Sequence, residues 1–94
     1  MATPLDAEAR SRFSRDHPDW TLDGETASRT LTFADFAEAM GFANRVALIA
    51  EKADHHPDID VRWNRVTLAF STHSAKAFTA RDVRLIETID GWER

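Results

Sequence analysis

The sequence predicts an α+β fold, a four-stranded antiparallel sheet with three helices on one face, in the order α-β-β-α-β-β-α. Three observations carry this. Residues 33–52 hold a long run of apolar side chains at helical spacing. The segments on either side of it alternate apolar and polar residues around turn signals. Capping patterns open the first and last segments. Two hairpins separated by a helix pair into an antiparallel sheet with helices on one face.

Thr3-Pro4-Leu5-Asp6 reads as a helix start, with Thr3 as cap, Pro4 at the first helical position and Asp6 completing a capping-box spacing. Leu5, Ala9 and Phe13 then form a narrow apolar face. The helix ends before His17-Pro18, because a residue preceding proline disfavours helical geometry. Trp20 and Leu22 alternate into the Asp23-Gly24 turn, and Thr26 to Phe33 is rich in β-branched residues, which gives the first hairpin. Phe33 to Lys52 is the strongest helix. Phe36, Met40, Ala43, Ala47 and Ala50 form one apolar stripe and Phe42, Val46 and Ile49 a second beside it. At about 100° per residue the two cover roughly half the circumference. A helix lying on one sheet needs less, so the surplus points to a second partner such as another subunit.

Asp54-His55-His56-Pro57 breaks this helix. Ile59, Val61 and Trp63 alternate with Asp60, Arg62 and Asn64, the pattern of a strand with one buried face. Asn64-Arg65 reads as a tight turn, since Asn tolerates positive φ. Val66, Leu68 and Phe70 make the return strand, and Ser71-Thr72-His73-Ser74 leads out of it. Thr79-Ala80-Arg81-Asp82 is a capping box that opens the last helix, with Val83, Ile86 and Ile89 inward. The exposed edges of so small a sheet are natural sites for pairing with a second subunit.

With 94 residues the chain fits a single domain, 1–94. Three Trp and six Phe supply core material and argue against disorder. The net charge of −4 argues against a direct nucleic-acid or membrane-surface binder, which needs a basic patch. No cysteine is present, which excludes disulfides, zinc–thiolate sites and thiol catalysis. Met1 to Arg10 lack a basic start followed by an apolar stretch, and no apolar run approaches the about 20 residues of a membrane span. The expected location is cytoplasmic.

Histidines carry the chemical signal. Glu51, His55-His56-Pro57, Trp63, His73 and Asp82 fall in one window, with His55 and His56 at a helix exit and His73 just past a strand end. A helix exit and a strand end on the same rim of a sheet can bring three imidazoles together. Histidine exchanges protons near neutral pH, so one imidazole can protonate a leaving hydroxyl while another removes a proton from the neighbouring atom. Asp54 and Glu51 are close enough in sequence to orient an imidazole or bind a substrate N–H. Taken singly, each has a plain structural reading. Tandem histidines decorate loops, Trp63 at strand spacing fits a core, and Arg81 and Asp82 fit a first helical turn. His17 suits the negative end of a helix dipole. A zinc site is disfavoured, because adjacent histidines rarely converge and neither His-x-x-x-His nor His-Glu-x-x-His occurs.

From Glu51 to Asp82 the chain resembles the signature of the pterin-4a-carbinolamine dehydratases: the acidic residue, His-His-Pro, the aromatic, the later histidine and the closing aspartate. Trp20 before an Asp-Gly turn, the Phe-rich central helix, Trp63-Asn64-Arg65-Val66 and Ser71-Thr72-His73 extend the likeness over the whole chain, least in the first twenty residues. The resemblance implies elimination of water from 4a-hydroxytetrahydropterin to give quinonoid dihydropterin, in tetrahydrobiopterin recycling, with no cofactor or metal. It implies His55 and His73 as the acid/base pair and His56 as the residue that binds and polarises the pterin. Glu51 and Asp54 become partners for pterin N–H groups or for the histidines. Ser71 and Thr72 offer further contacts, Trp20 closes one side of the pocket, and Arg81 and Asp82 support the site. The implied assembly is a homodimer or homotetramer, with an aromatic amino acid hydroxylase as a candidate partner. Two alternatives stand beside this reading. One is an interaction module serving as dimerisation cofactor of a transcription factor, and the other is a dehydratase acting on another pterin.

Overall fold

A computed structural model describes residues 3–92. Its elements are α1 (Ala7–Asp16), β1 (Thr21–Asp23), β2 (Thr26–Thr32), α2 (Phe36–Ala53), β3 (Asp58–Arg62), β4 (Arg65–Phe70) and α3 (Ala80–Asp90), the order expected from the sequence. The strands form one antiparallel sheet in the order β1-β2-β4-β3, so the two hairpins meet along β2 and β4. Leu22 lies opposite Ala27, Ala27 opposite Phe70, Leu31 opposite Val66, and Val66 opposite Val61. Partners across an antiparallel ladder share a face, and on this one Val66, Leu68 and Phe70 are fully buried. On the other face Ser28, Thr30, Thr67 and Ala69 all retain exposure, and the Thr30 and Thr67 hydroxyls bond across the strands at 2.8 Å. The helices therefore lie on one side of the sheet.

α2 docks through Ala39, Ala43, Val46 and Ala50, all buried at helical spacing. Mostly small side chains let the helix approach the sheet closely, and Phe42 and Ile49 pack along its flanks. The stripe expected through Phe36, Met40 and Ala47 is turned outward instead. Phe36 is 52% exposed and Met40 38%, while Ala39 takes their place against the sheet.

The element ends also differ from expectation. Pro4 bridges to Thr79 and the Leu5 N–H donates to the Phe78 carbonyl at 3.2 Å, which ties this segment to the entry of α3. Asp6 is left to cap α1, accepting from the Ala9 N–H at 2.9 Å, so neither Thr3 nor Pro4 opens the helix. α2 starts at Phe36 because the Asp35 carboxylate accepts from the Glu38 N–H at 2.8 Å. Phe33 is instead held by Asn64, whose carbonyl accepts the Phe33 N–H and whose side-chain amide donates to the Phe33 carbonyl.

Arg62 pairs with Arg65, so the tight turn is Trp63-Asn64. Positive φ, 50°, falls on Trp63 and not on Asn64. Trp63 is thus neither a strand nor a core residue: it is 70% exposed at a hairpin tip. Ile59 is also exposed, because β3 is an edge strand flanked on one side only.

Leu68 sits at the centre of the sheet with no exposure. Leu68→Ala is expected to lower unfolding stability by about 2–5 kcal/mol, the range for a large-to-small change in a closed core, read as a reduced urea midpoint with an unchanged slope.

Candidate active site

The end of α2 sets the position of two histidines. Asp54 caps the helix in the left-handed region, at φ 51°, and its N–H donates to the Ala50 and Glu51 carbonyls. The His55 N–H then reaches back to the Ala50 carbonyl at 3.0 Å. Aspartate tolerates this conformation better than most residues. The reversal throws His55 off the helix axis toward the first turn of α3, where it is 7% exposed. His56 precedes Pro57, a context that favours extended backbone, and β3 starts at the next residue, Asp58.

A second strand end supplies the third histidine. Beyond β4 the chain closes a short loop, with Thr72 bridged to Ala77 and the Lys76 N–H bonded to the His73 carbonyl at 3.1 Å. His73 is exposed on this loop. The helix exit and the strand end share a rim, and His55, His56 and His73 line one open cleft of about 280 Å³ together with Asp54, Ser71, Thr72, Ser74 and Arg81.

Behind the cleft lies Asp82, at 0% exposure. The capping box of α3 holds it there, with the Thr79 side chain capping the helix and the Asp82 carboxylate returning to the Thr79 N–H at 2.9 Å. Its Oδ1 lies 2.5 Å from His55 Nε2 and its Oδ2 2.8 Å from Thr72 Oγ1. The partial positive charge of a helix N-terminus adds to these contacts. Asp82 therefore meets the cleft only through His55 and Thr72, which line it. Arg81 braces the same corner by donating to the Asp54 carbonyl at 2.8 Å, joining the start of α3 to the end of α2.

Two expected members stand apart. Glu51 bonds His56 Nε2 at 2.8 Å, but both side chains are largely exposed, and such a pair contributes little stability. Glu51 lines a neighbouring apolar groove with Leu48, Pro57 and Ile59, which His56 also edges. Trp20 is not at the cleft. It is buried, packs on Phe70 and donates its indole N–H to Asp90 at 2.9 Å. The resemblance places it at one side of the pocket, whereas here the end of α3 closes over it. Ser74 and Thr79 were not singled out as site residues. The Thr79 capping box was legible, and its consequence, a carboxylate fixed at the third helical position, was the available signal.

A larger cleft, about 670 Å³, lies at the far ends of α2 and α3, lined by Phe42, Arg45, Asp90 and Trp92 among others. It contains none of the three clustered histidines. Convergent acid/base groups identify the smaller cleft as the candidate site despite its size. Among the described residues no three His, Cys, Asp or Glu side chains are grouped as ligands for a metal ion, and no helix is long and apolar enough to cross a membrane.

The arrangement can transfer protons. A buried carboxylate orients one imidazole, and an exposed imidazole faces the same space from another loop, the elements of paired acid/base catalysis.

Residues 3–92 match the model of the family described as pterin 4 alpha carbinolamine dehydratase. A protein of Nocardia farcinica named "Putative pterin-4-alpha-carbinolamine dehydratase" is 50% identical over 76 residues, covering 81% of this chain and 80% of that one. A protein of the same name from Rhodospirillum rubrum is 46% identical over 92 residues, covering 96% of each. The crystal structure of a transcriptional coactivator/pterin dehydratase from Brucella melitensis superposes with a TM-score of 0.87 at 32% identity, covering 94% of this chain and 96% of that one.

Asp82→Ala would leave the Thr72 hydroxyl, the Thr79 N–H and His55 without their acceptor in a buried setting. Unsatisfied buried donors cost about 1–3 kcal/mol each. The expected loss in urea unfolding is on the order of 3 kcal/mol, well above that of Glu51→Ala, whose carboxylate faces solvent.

Proposed function

This chain belongs to the pterin 4 alpha carbinolamine dehydratase family, and from that premise we propose that it removes water from 4a-hydroxytetrahydropterin in the cytoplasm, by histidine acid/base catalysis, as a step of tetrahydrobiopterin recycling. The observation that carries this reading is the convergence of His55, His56 and His73 on one open cleft, with His55 held by the buried Asp82.

In the reaction the N5 proton is removed, the C4a–O bond breaks, N5 and C4a become doubly bonded, and the departing hydroxide takes a proton to leave as water. His55 and His73 form the acid/base pair. Asp82 orients the first, and the second is free on its loop to meet the substrate from the other side. His56, braced by Glu51, binds the pterin ring. Asp54 and Ser71 line the cleft and offer hydrogen bonds, Thr72 lies behind them with its hydroxyl held by Asp82, and Arg81 fixes the Asp54 backbone. An aromatic amino acid hydroxylase, which leaves its reduced pterin in the 4a-hydroxylated state, is the fitting supplier of substrate.

A second proposal concerns assembly. Phe36, Met40 and Leu48 on α2, with Ile59 and Trp63 on the β3–β4 hairpin, are large apolar side chains left exposed. Scattered apolar residues are ordinary, but this many along one helix and the adjoining edge hairpin favour a subunit contact. We place a homodimer or homotetramer there. The same surfaces would serve an interaction role of the kind named for the Brucella melitensis relative, and action on another pterin is the alternative within the family.

The decay of freshly generated 4a-hydroxytetrahydropterin, followed by ultraviolet absorbance, is expected to accelerate in the presence of the protein and to stay accelerated after chelator treatment. No acceleration would move the weight to the interaction role, and loss on chelation would point to a metal. His73→Ala is expected to lower turnover by ~10²-fold or more with the fold intact, and an unchanged rate would remove His73 from the mechanism. Sedimentation at micromolar concentration is expected to give at least a dimer, so a monomeric mass would contradict the proposed contact.

A further inference from the structure

We propose that the larger cleft, at the far ends of α2 and α3, is a second binding site whose ligand is a small aromatic zwitterion, an aromatic α-amino acid. The three clustered histidines take no part in it, and it stands independently of the dehydratase reading.

The inner part of this cleft is apolar and firmly packed. Leu31 and Ile89, both buried, line its depth. Phe33, Phe42 and Trp92 form an aromatic wall in which each ring meets the next, with centroids 5.0 Å apart for Phe33 and Phe42 and 5.9 Å for Phe42 and Trp92, the latter pair edge to face. Rings in tilted and edge-on contact accept a further ring in the same manner. The volume of about 670 Å³ is that of a small-molecule site.

The rim carries charge of both signs. Arg29 is committed within the chain, bonding Asp90 at 2.9 Å and lying 3.6 Å from Asp19. Arg45 is not. Its guanidinium lies over the Trp92 ring, 4.0 Å from the centroid, and among the described residues it pairs with no carboxylate. The Glu38 carboxylate likewise has no cationic partner among them. Glu38, Gly41 and Arg45 are spaced i, i+3, i+7, which sets them on one stripe of α2 along the cleft. Seven residues of helix rise about 10 Å, so a ligand lying along the stripe meets an anion at one end and a cation at the other. An α-amino acid satisfies both, with its ammonium toward Glu38 and its carboxylate on the guanidinium fork of Arg45. An aromatic acid or amine satisfies only one. The side-chain ring then turns inward against the aromatic wall.

Gly41 lies between the two charges. Glycine in a helix interior is less stable than alanine, and nothing within the chain requires it here. Its φ is not in the left-handed region, and a Cβ would meet no atom within 4 Å. The missing side chain leaves room on the cleft side of the helix, at the point where the ligand backbone would cross it.

The test is ¹H–¹⁵N correlation of the full chain titrated with L-phenylalanine. Saturable shifts are expected at Phe33, Gly41, Phe42 and the Trp92 indole, with none at His55 or His73, and a dissociation constant of about 1 mM or below. L-Alanine, 3-phenylpropionate and phenethylamine lack the ring, the ammonium and the carboxylate in turn, and each is expected to bind at least about tenfold more weakly. Gly41→Leu fills the gap from a position with open space around it, so it is expected to keep the thermal midpoint and lose the binding. Glu38→Gln preserves shape and is expected to weaken binding roughly tenfold. The absence of saturable shifts at about 10 mM phenylalanine overturns the proposal, as do shifts confined to the histidine cleft or a Gly41→Leu chain that binds like wild type. Equal affinity for 3-phenylpropionate or phenethylamine overturns it as well, because the ligand class rests on both charges. If Gly41→Leu does not fold, unaltered affinity in Glu38→Gln decides against the site in its place.

Discussion

A carboxylate taken wholly out of water has to be surrounded by donors, and the arrangement around Asp82 follows from that requirement. Its partners come from three parts of the chain: His55 from the exit of α2, Thr72 from the end of β4, and the Thr79 N–H from the cap of its own helix. These are the elements whose ends make the cleft. The interaction that tolerates a buried charge is thus also the one that brings the histidine loops onto a common rim. Removing the carboxylate would leave the donors without a shared centre, so the geometry of the cleft and the packing of this corner are a single property of the fold.

The opposite end of α3 is fastened by a similar device. Asp90 accepts from the Trp20 indole at 2.9 Å, from Arg29 at 2.9 Å and from His17 Nδ1 at 2.7 Å, which joins α1, the start of β1 and β2 to the last turn of the helix. α3 is pinned across the sheet at both ends by an aspartate. This accounts for the places of Trp20 and His17, which aromatic and titratable character alone would have drawn toward chemistry. In this chain they anchor the scaffold.

The element order was legible because three periodicities are clean: the long helical run of α2, the alternation of β4 and the capping box of α3. The histidine grouping was legible because residue spacing and element ends together locate a rim. Other features depended on contacts between distant segments. Nothing near Thr3 announces that Pro4 will bridge to Thr79 and leave the cap to Asp6. Periodicity could not say which half of α2 faces the sheet, because Phe36 and Met40 fit the pattern as well as Ala39 and Ala43, and close approach selects the smaller side chains. Positive φ at Trp63 instead of Asn64 follows from the Arg62–Arg65 pairing, which is a matter of register.

The strand order β1-β2-β4-β3 bears on how the chain reaches this state. The central ladder joins Ala27 to Phe70, residues that lie on either side of all of α2 and the β3 strand. Both hairpins and the helix are local and can form early, but the seam between them closes a long loop, and loop closure must precede the contacts that compensate for it. His55 lies within that loop, whereas Thr72, His73 and Asp82 all follow the strand that closes it. The cleft is therefore among the last parts of the molecule to exist: during synthesis no portion of the chain ending before the first turn of α3 can assemble it, and until that turn emerges His55 has no carboxylate to hold it.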